Sequence, residues 1–371
     1  MPWEKKELML LREEFVRQAL NGLESISELC QKYGVSRRVG YKWIARYKEE
    51  GILGLQDRSR KPVGIPSRTV QTTRDLILAL KDKHPAWGAR KLRQVLINQG
   101  HNNLPAEATI FRILRDQGKT QELAARKPTI RFERETPNEL WQMDFKGHFA
   151  IQDGKCHPLT ILDDCSRYSL CLKACLREDE ISVRNALEEV FLEYGLPEAM
   201  TMDNGSPWKG SPGQRFSKLT IWLMRLGIKI GHSRPYHPQT QGKDERFHRT
   251  LKEELLKYHN FKTIFDAQKN FDEWRVIYNH ERPHEGINML CPANKYHRST
   301  KEYTNKLAPI EYREGDAIRK VMRGGEISLG RKFCFIGEAF RGEYVALRRR
   351  TEHDWDIYYV NTRLCSFSTK V

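Results

Sequence analysis

The sequence lacks long apolar runs and paired cysteines. No window approaches the roughly 18 uninterrupted apolar residues that a membrane span requires, and Met1 to Arg12 carry charges where a secretory signal needs an apolar core. The eight cysteines are scattered, with no Cys-x-x-Cys pair, so neither a disulfide framework nor a structural zinc site is expected. These absences predict a cytoplasmic protein with reduced thiols.

The chain does have length and positive charge. Its 371 residues, 39% hydrophobic and 30% charged, predict two to four folded units. The net charge of +16 is uneven: residues 1–128 carry a net +11, residues 129–305 only +1, and residues 306–371 +4. An excess of positive charge that served only solubility would not be distributed so unevenly. It favours terminal modules that bind a polyanion, on either side of a middle with another task.

Residues 1–53 are predicted to form a helix-turn-helix domain. A short helix over 27–33 is followed by a tight turn at Gly34 and by Ser36, a good N-cap for a second helix running to about Lys48. In this layout the second helix enters the major groove of DNA, although short helical hairpins also occur as plain structure. The residues that this helix would present to DNA are Arg37, Arg38, Lys42 and Arg46.

A basic segment and a second helical module follow. Residues 54–66 hold Arg58, Arg60 and Lys61 and are too polar to pack, so they form either a solvated linker or one that follows the DNA backbone. Residues 67–122 have the pattern of a second helix-turn-helix domain, with Arg112 on the outward side of its last helix. Residues 123–136 are expected to link it to the next domain.

Strands dominate from residue 137 onward. A hairpin is expected over 140–162 around Asp153-Gly154, followed by a third strand and then alternating helices and strands to residue 300. This order describes an α/β domain with a mixed sheet. Residues 306–371 read as a small all-β module, a barrel or sandwich, in which Arg348 to Arg350 would bind DNA or a neighbouring subunit. The expected fold is therefore multidomain.

Three acidic residues stand in informative places. Asp144 lies in an apolar, aromatic run where a carboxylate is costly unless it is compensated. Asp203 ends the predicted fourth strand, and Glu245 lies near the start of a helix. Each has a plain alternative: a salt-bridged strand residue, a turn cap, and one more charge on a helical surface. Their joint occurrence favours a shared site, because functional groups gather at the carboxyl ends of strands in α/β sheets.

Three carboxylates brought together repel one another unless cations neutralise them. Hard oxygen ligands select Mg²⁺, with Mn²⁺ able to substitute. Two such ions roughly 3.5–4 Å apart can activate an attacking oxygen and stabilise a leaving one in the displacement of a phosphodiester. The acids therefore indicate nuclease or strand-transfer chemistry.

Longer motifs surround the three acids and resemble a known family. They are WQMD at 141–144, MDNG at 202–205, YHPQTQGKDERFHRTLK at 236–252, YNHERPH at 278–284 and WGARKL at 87–92. In this order they resemble the ribonuclease H-like core of DDE transposases and retroviral-type integrases. The resemblance is closest to insertion-sequence transposases of the IS481 group, allied to the IS3 group, and covers about residues 1–300.

The resemblance implies an α/β ribonuclease H-like catalytic domain over 137–300. In it Asp144, Asp203 and Glu245 would hold two magnesium ions, and Lys252 and Arg249 would contact the DNA end. The 41 residues between Asp203 and Glu245 exceed the spacing typical of integrases, which a longer loop around 206–214 would absorb. The zinc-binding segment of retroviral integrases is absent from the sequence.

Neighbouring residues compete for the same site. The resemblance places Asp163 and Asp164 outside the triad, at a turn where they would pair with Arg167. Asp244 directly precedes Glu245 and lies about 100° away from it around the helix, so it is not expected to face the same metal. The histidines at 232, 237 and 248 are expected to contact DNA or to pack the loop rather than to bind metal.

The sequence thus predicts a transposase that binds the terminal inverted repeats of a mobile element, cleaves its ends and transfers them to target DNA. Its partners would be double-stranded DNA and, because two ends must be held together, a second copy of the chain or a larger assembly. When bound to DNA it would be associated with the nucleoid. The rival readings are a DNA-binding regulator that has lost its chemistry and a nuclease of the same fold that joins nothing.

Overall fold

The computed structural model describes residues 5–59, 69–120, 134–152, 154–203, 205, 207–208, 215–232, 242–307 and 309–369. The chain divides into two compact units, Met1–Arg68 and Thr69–Val371. Over the described ranges, no helix has the length and apolar character needed to span a bilayer. All eight cysteines are free thiols, as expected.

The first unit contains the predicted helix-turn-helix. Ser25 caps the second of its helices in a capping box with Glu28, and Ser36 caps the third. Between them Gly34 has a φ of +63°, a conformation that glycine adopts at little cost. A Cβ at Gly40 would lie 2.6 Å from the Cys30 sulfur, so glycine lets the third helix pack closely on its neighbours. The helices are α1 (Lys5–Asn21), α2 (Ile26–Lys32) and α3 (Arg37–Glu50), followed by a 3₁₀ helix (Gly51–Leu55).

The second unit begins with the other predicted helical module. Its core is built on Trp87 and on apolar residues spaced along one face of each helix, such as Leu92 and Ile110. Lys81 is buried and donates to the carbonyls of Pro85 and Trp87, which closes the turn between the first two helices. The helices are α4 (Gln71–Lys83), α5 (Ala89–Asn98) and α6 (Glu107–Asp116).

A mixed sheet follows, as predicted. Antiparallel pairs join β1 to β3 and β3 to β4, whereas β1, β5 and β6 run parallel; β2 pairs with the first residues of β3. Helices cover both faces and bury two apolar clusters. The strands are β1 (Trp141–Phe145), β2 (Phe149–Ile151), β3 (Gly154–Asp163), β4 (Ser169–Cys175), β5 (Ala199–Met202) and β6 (Lys229–His232), and the helices between them are α7 (Glu180–Tyr194) and α8 (Lys218–Arg225).

The predicted first strand, 140–151, is wrong in one respect. It is two strands, because Gly147 has a φ of +86° and interrupts the extended chain between β1 and β2. The Lys146 amide still donates to the Pro158 carbonyl at 3.0 Å, so the chain stays beside β3 through the break. Asp153, at the predicted hairpin tip, lies outside the described residues. Because of this break, the residues after β1 do not continue in the direction of that strand.

The helix carrying Glu245 also differs from its prediction. The sequence predicts one helix to about Tyr258, but α9 (Gly242–Leu251) continues as a π-helical segment (Lys252–Leu256). The same change occurs after α10 (Ile264–Val276), which continues as a π-helical segment (Ile277–Glu281). π-helical turns are rare and concentrate at functional sites. Here the first begins at the last residue of the 236–252 motif, and the second overlaps the 278–284 motif.

The C-terminal module is all β, as predicted, and consists of a four-stranded and a two-stranded sheet. Its core includes Val345 and Ile357, and it packs against Phe216, Ile221 and Met224 at and before α8. The module is therefore joined to the mixed-sheet domain by apolar contact. Its strands are β7 (Ala317–Lys320), β8 (Glu326–Leu329), β9 (Lys332–Phe335), β10 (Tyr344–Arg349), β11 (Asp354–Tyr359) and β12 (Thr362–Ser368).

Candidate active site and DNA-binding surfaces

Asp144 lies on β1, and Asp203 directly follows β5, the parallel strand beside it. The registered pairs are Trp141 with Met200 and Gln142 with Thr201, and the same offset aligns Asp144 with Asp203. Neighbouring strands lie about 4.8 Å apart, so the two carboxylates project from one edge of the sheet. The Asp203 carboxylate accepts the Gly205 amide at 2.8 Å, and a Cβ at Gly205 would come within 3.1 Å of it.

The surroundings of Asp144 disfavour its charge. Its side chain is 25% exposed, and burial raises its pKa to about 7, with repulsion from Asp203 as the next cause and smaller contributions from Glu178 and Glu245. A carboxyl whose ionisation is opposed by its neighbours gains most from a bound cation. The sequence-based expectation of a costly carboxylate at this position therefore agrees with the structure.

Glu245 lies on α9, which packs beside β1, and its charge reaches Asp144. The side chain is exposed. Over the part of the chain that the structure describes, no three His, Cys, Asp or Glu side chains are grouped closely enough to hold a metal ion. The fold thus brings Asp144 and Asp203 together and places Glu245 nearby, without drawing the three into a ligand cluster.

Asp244, next to Glu245, is on the buried side of α9. It is only 2% exposed, and its Oδ1 atom has no hydrogen-bond partner. Burial raises its pKa well above the ordinary value, and repulsion from Asp144 and Asp164 adds to this effect. A buried carboxylate oxygen without a partner among other acids is a place where a divalent cation would fit. The residues present therefore suit the predicted metal chemistry.

Asp163 and Asp164 have structural roles. Both are fully buried, and Asp163 accepts from the Asn138 amide at 2.8 Å and from the Ser166 amide at 2.7 Å. Asp164 accepts from Gln142 at 2.7 Å and forms an ion pair with Lys243 at 2.5 Å. The expected carboxylate pairing with Arg167 differs in detail: its guanidinium donates to the backbone carbonyl of Asp164.

The Lys243–Asp164 pair positions the start of α9. It ties the residue two before Glu245 to the turn after β3, and Gln142 on β1 shares the same carboxylate. This pair is missed by sequence reasoning, which treats Asp164 mainly as a turn residue. A lysine two residues before a site glutamate is a common surface feature, and only the tertiary fold shows that its partner is buried.

His248 packs inside the protein rather than on a DNA-facing surface. Its Nε2 lies 2.9 Å from the Thr160 hydroxyl, and its Nδ1 lies 3.9 Å from the Asp144 carboxylate. Burial lowers its pKa to about 3, with the Lys146 charge as a second cause, so the ring is neutral. Of the two expected roles, packing is the one that the structure supports. His237 lies outside the described residues, as does the side chain of His232.

Basic side chains flank this site. Lys252 and Arg249 are exposed near the end of α9. Lys146, two residues beyond Asp144, has its pKa lowered by burial and by the nearby charge of Lys252. Lys146 is a residue that the sequence prediction missed. Its position just past the end of β1, two residues after Asp144, is the available signal.

The helix α3 displays the predicted basic residues. Arg38 and Lys42 are exposed, whereas Arg37 donates to the Ser27 hydroxyl at 3.1 Å. Arg46 and Lys42 lie over the buried Trp43 ring at 5.2 and 4.6 Å from its centroid. Tyr41 is exposed, so packing falls to the tryptophan and surface contact to the tyrosine.

We expect Arg38→Ala and Lys42→Ala each to weaken binding to a DNA duplex and to reduce the slope of log K against log salt by about one. The physical reason is the release of fewer counterions when one phosphate contact is lost. Binding isotherms at several salt concentrations measure both quantities. Arg17→Ala is the matched control, because that exposed arginine lies on α1 and pairs with Glu13. An unchanged slope in both α3 variants would exclude this helix from phosphate contact.

The remaining predicted DNA contacts have mixed surroundings. Arg58 pairs with Glu50, and Arg112 donates to the Thr109 hydroxyl at 3.1 Å on an exposed face of α6. Arg60 and Lys61 lie outside the described residues. All four therefore stay predictions.

The three consecutive arginines of the C-terminal module are engaged within it. Arg348 makes a two-pronged ion pair with Asp316, with contacts of 3.0 and 2.8 Å. Arg349 donates to the Thr351 and Glu352 carbonyls, and Arg350 lies near Asp354. These contacts compete with the expected binding of DNA or of another subunit by the same side chains.

The motif at 278–284 braces the helix that carries Glu245. Arg282 forms an ion pair with Glu254 at 2.8 Å, and the two side chains are only 9% and 8% exposed. Glu254 lies in the π-helical continuation of α9, so the pair ties the motif to the helix carrying Glu245. Asn279 donates to the Ser169 carbonyl and accepts from its amide, much as a neighbouring strand would pair with β4.

The same motif contacts the second helical module. Ile277, just before it, packs against that module's core, and Lys83 pairs with Glu281 at 3.3 Å. Lys91, in the 87–92 motif, has its pKa lowered to about 8 by burial and by the charge of Arg282. Two motifs that the sequence presents separately therefore meet in space, and this module packs on the mixed-sheet domain.

His84 supplies a pH-dependent contribution to stability near this contact. It stacks on Trp87 with 3.7 Å between ring centroids, and burial, followed by the charge of Lys83, lowers its pKa to about 4. The neutral ring is favoured in the folded state, so its contribution is complete above pH 6.5 and is lost as the pH falls toward 4. We expect a loss of about 2 kcal/mol at pH 5.

His84→Phe keeps the stack and removes the titration. Urea unfolding at pH 7 and pH 5 should then show a smaller difference in unfolding free energy than the wild type shows. His353→Phe, at an exposed position, is the control and should keep the wild-type difference. Equal pH dependence in all three proteins would contradict this role of His84.

Comparison with known proteins gives the family context of these features. The family described as "Integrase core domain" matches residues 134–238 and 226–292. A family described as "Helix-turn-helix domain" matches residues 11–62, and one described as "Homeodomain-like domain" matches residues 39–114. The matches cover the two helical modules and the mixed-sheet domain with all three site acids.

Two relatives come from bacterial insertion elements. A 31.7 kDa protein of insertion element IS407 from Burkholderia multivorans is 25% identical over 247 residues, which is 64% of this chain and 84% of the relative. A 39.2 kDa protein of insertion element IS476 from Xanthomonas euvesicatoria is 23% identical over 271 residues, 70% of this chain and 74% of the relative. The assignment to the IS481 group stays a prediction.

Among solved structures, the catalytic core domain of HTLV-2 integrase in complex with magnesium is 17% identical. The match covers 44% of this chain and 98% of that one, with a TM-score of 0.34. Residues 134–292 therefore match the integrase core domain family, and the helical modules before them match helix-turn-helix and homeodomain-like families. As a whole, the chain is similar to proteins of bacterial insertion elements.

Proposed function

We propose that this chain binds the terminal repeats of an insertion element, cleaves the element ends and joins them to target DNA. The observation that carries the proposal is the parallel β1–β5 register, which, continued by two residues, sets Asp144 opposite Asp203, beside the helix that bears Glu245. Two carboxylates held together at the edge of a sheet serve little structural purpose. Binding divalent cations for phosphodiester chemistry would give the two carboxylates a function.

Asp144, Asp203 and Glu245 would hold two Mg²⁺ ions, or Mn²⁺ in their place. When bound, these ions supply an activated attacking oxygen and stabilise the leaving oxygen. In the first reaction water attacks a phosphodiester at the element end, and the bond to the departing 3′ oxygen breaks to leave a 3′-hydroxyl. In the second, that hydroxyl attacks a target phosphodiester, so a new bond replaces an old one without a net change in bond number.

The other residues would bind and orient DNA. Lys252 and Arg249, together with Lys146, on which the charge of Lys252 acts, would hold backbone phosphates of the element end. The basic helix α3 would read the terminal repeat in the major groove, with Arg112 of α6 contributing a second contact. Since both ends must be joined together, the active assembly would be a homodimer or a larger oligomer on DNA.

An end-joining assay tests this function. It combines the purified protein, Mg²⁺, a labelled duplex carrying the element's own end and a plasmid target. Joined product supports the proposal. Cleaved ends without joined product would point to a nuclease, and tight binding without cleavage would point to a DNA-binding regulator.

A further inference from the structure

Asp244 is an acidic residue that the proposed chemistry does not use. It lies on the face of α9 that turns into the protein, whereas its neighbour Glu245 is exposed. Placing a carboxylate in a buried position costs several kcal/mol unless partners compensate it. An apolar residue would serve packing better at this position. The acid therefore calls for a functional explanation.

The partners that would make Asp244 a structural residue are missing from its Oδ1 atom. That atom is buried and has no hydrogen-bond partner. Asp164 shows the contrast: it is equally buried, but Lys243, Gln142 and the Arg134 amide all contact its carboxylate. The lysine next to Asp244 in sequence is thus already engaged by another acid.

The charges around Asp244 are mainly negative. Asp144 repels it most strongly, followed by Asp164; the attraction of Lys243 is smaller than either, and Glu245 adds the smallest repulsion. Asp144 and Glu245 are two of the three acids proposed to hold cations. A divalent cation beside Asp144 would reverse the sign of the field that acts on Asp244.

We propose that Asp244 is a fourth carboxylate of the divalent-cation site, beside Asp144. This inference rests on the proposed function, because it needs the cations that the triad would hold. At the proposed site, Asp244 adds negative charge and an unpaired oxygen on the buried side of α9. Glu245 would reach the cation from the exposed side of the same helix. The role of Asp244 is to strengthen cation binding, with Asp144, Asp203 and Glu245 remaining the main ligands.

Mn²⁺ binding to the full-length chain, measured by calorimetry without DNA, tests the role of Asp244. Asp244→Asn should weaken Mn²⁺ binding by about 10- to 100-fold, the range found for residues that support metal ligands. The metal-free variant should unfold at a temperature no lower than the wild type, because the change removes repulsion from Asp144. Asp244→Val is a second uncharged variant, with the same expected loss of Mn²⁺ affinity.

Asp164→Asn is the matched control for replacing a buried carboxylate by an amide. It breaks the pair with Lys243 and should lower the unfolding temperature of the metal-free protein, opposite to the effect expected at Asp244. Wild-type Mn²⁺ affinity in both Asp244 variants, together with weakened binding in Glu245→Gln, would overturn this inference and leave the proposed function standing. Absence of Mn²⁺ binding in the wild type would overturn both.

Discussion

Replacing Asp144 by Asn is expected to lower the rates of end cleavage and strand joining by about three orders of magnitude. The amide keeps the shape of the side chain but removes the charge that, in the proposed function, would hold cations against Asp203. Loss of several kcal/mol of transition-state stabilisation corresponds to this factor, because each 1.4 kcal/mol is tenfold in rate. Single-turnover assays with a labelled element end measure both steps.

DNA binding should survive this change. Asp144 lies at the sheet edge, and the predicted contacts with the terminal repeat belong to α3 and α6, so Asp144→Asn should bind the end duplex at least as tightly as the wild type does. Asp272→Asn, an exposed change on α10, is the control and should retain full activity. Cleavage by Asp144→Asn at the wild-type rate would remove this residue from the chemistry.

The second large effect concerns stability. Arg282→Met is expected to lower the free energy of unfolding by about 3–5 kcal/mol, because it leaves the Glu254 carboxylate buried without its partner. The cost should appear in urea unfolding monitored by tryptophan fluorescence. Since Glu254 lies in the continuation of α9, the variant should also lose activity at temperatures where it is still folded.

The double variant Arg282→Met/Glu254→Met separates the pair from the packing. With both charges gone, much of the lost stability should return, because the desolvation cost disappears with the interaction. A double variant as unstable as Arg282→Met alone would mean that the loss arises from packing around Tyr278 and His284, which adjoin Arg282. The ion pair would then have no special part in bracing α9.

The order of the elements could be predicted from local patterns. The capping serine at 36, the glycine turn before it and the alternation of the strands each depend on residues near one another in sequence. The break between β1 and β2 was harder to predict. A glycine can occupy a strand or a positive-φ turn, and the sequence does not show that Gly147 has a positive φ. The π-helical continuation of α9 likewise depends on tertiary packing around Glu254.

The site was less accessible to sequence reasoning than the fold. Motif order indicated Asp144, Asp203 and Glu245, and the β1–β5 register supports the first two. The buried side of α9 could not be predicted, because a rotation of 100° separates Asp244 from Glu245 without showing which of them faces the sheet. Pairing of Asp164 with Lys243, and the contact of Lys91 with the 278–284 motif, join residues distant in sequence.

Strand transfer by this chain is best measured as the joining of a pre-cleaved element end to plasmid DNA by wild-type protein and by Glu245→Gln. A pre-cleaved end already carries its 3′-hydroxyl, so the assay isolates strand transfer from cleavage. We expect Mg²⁺-dependent joined product from the wild type and none from Glu245→Gln. Both proteins should bind the element end equally. Equal joining by the two proteins, or no joining by the wild type, would contradict this expectation.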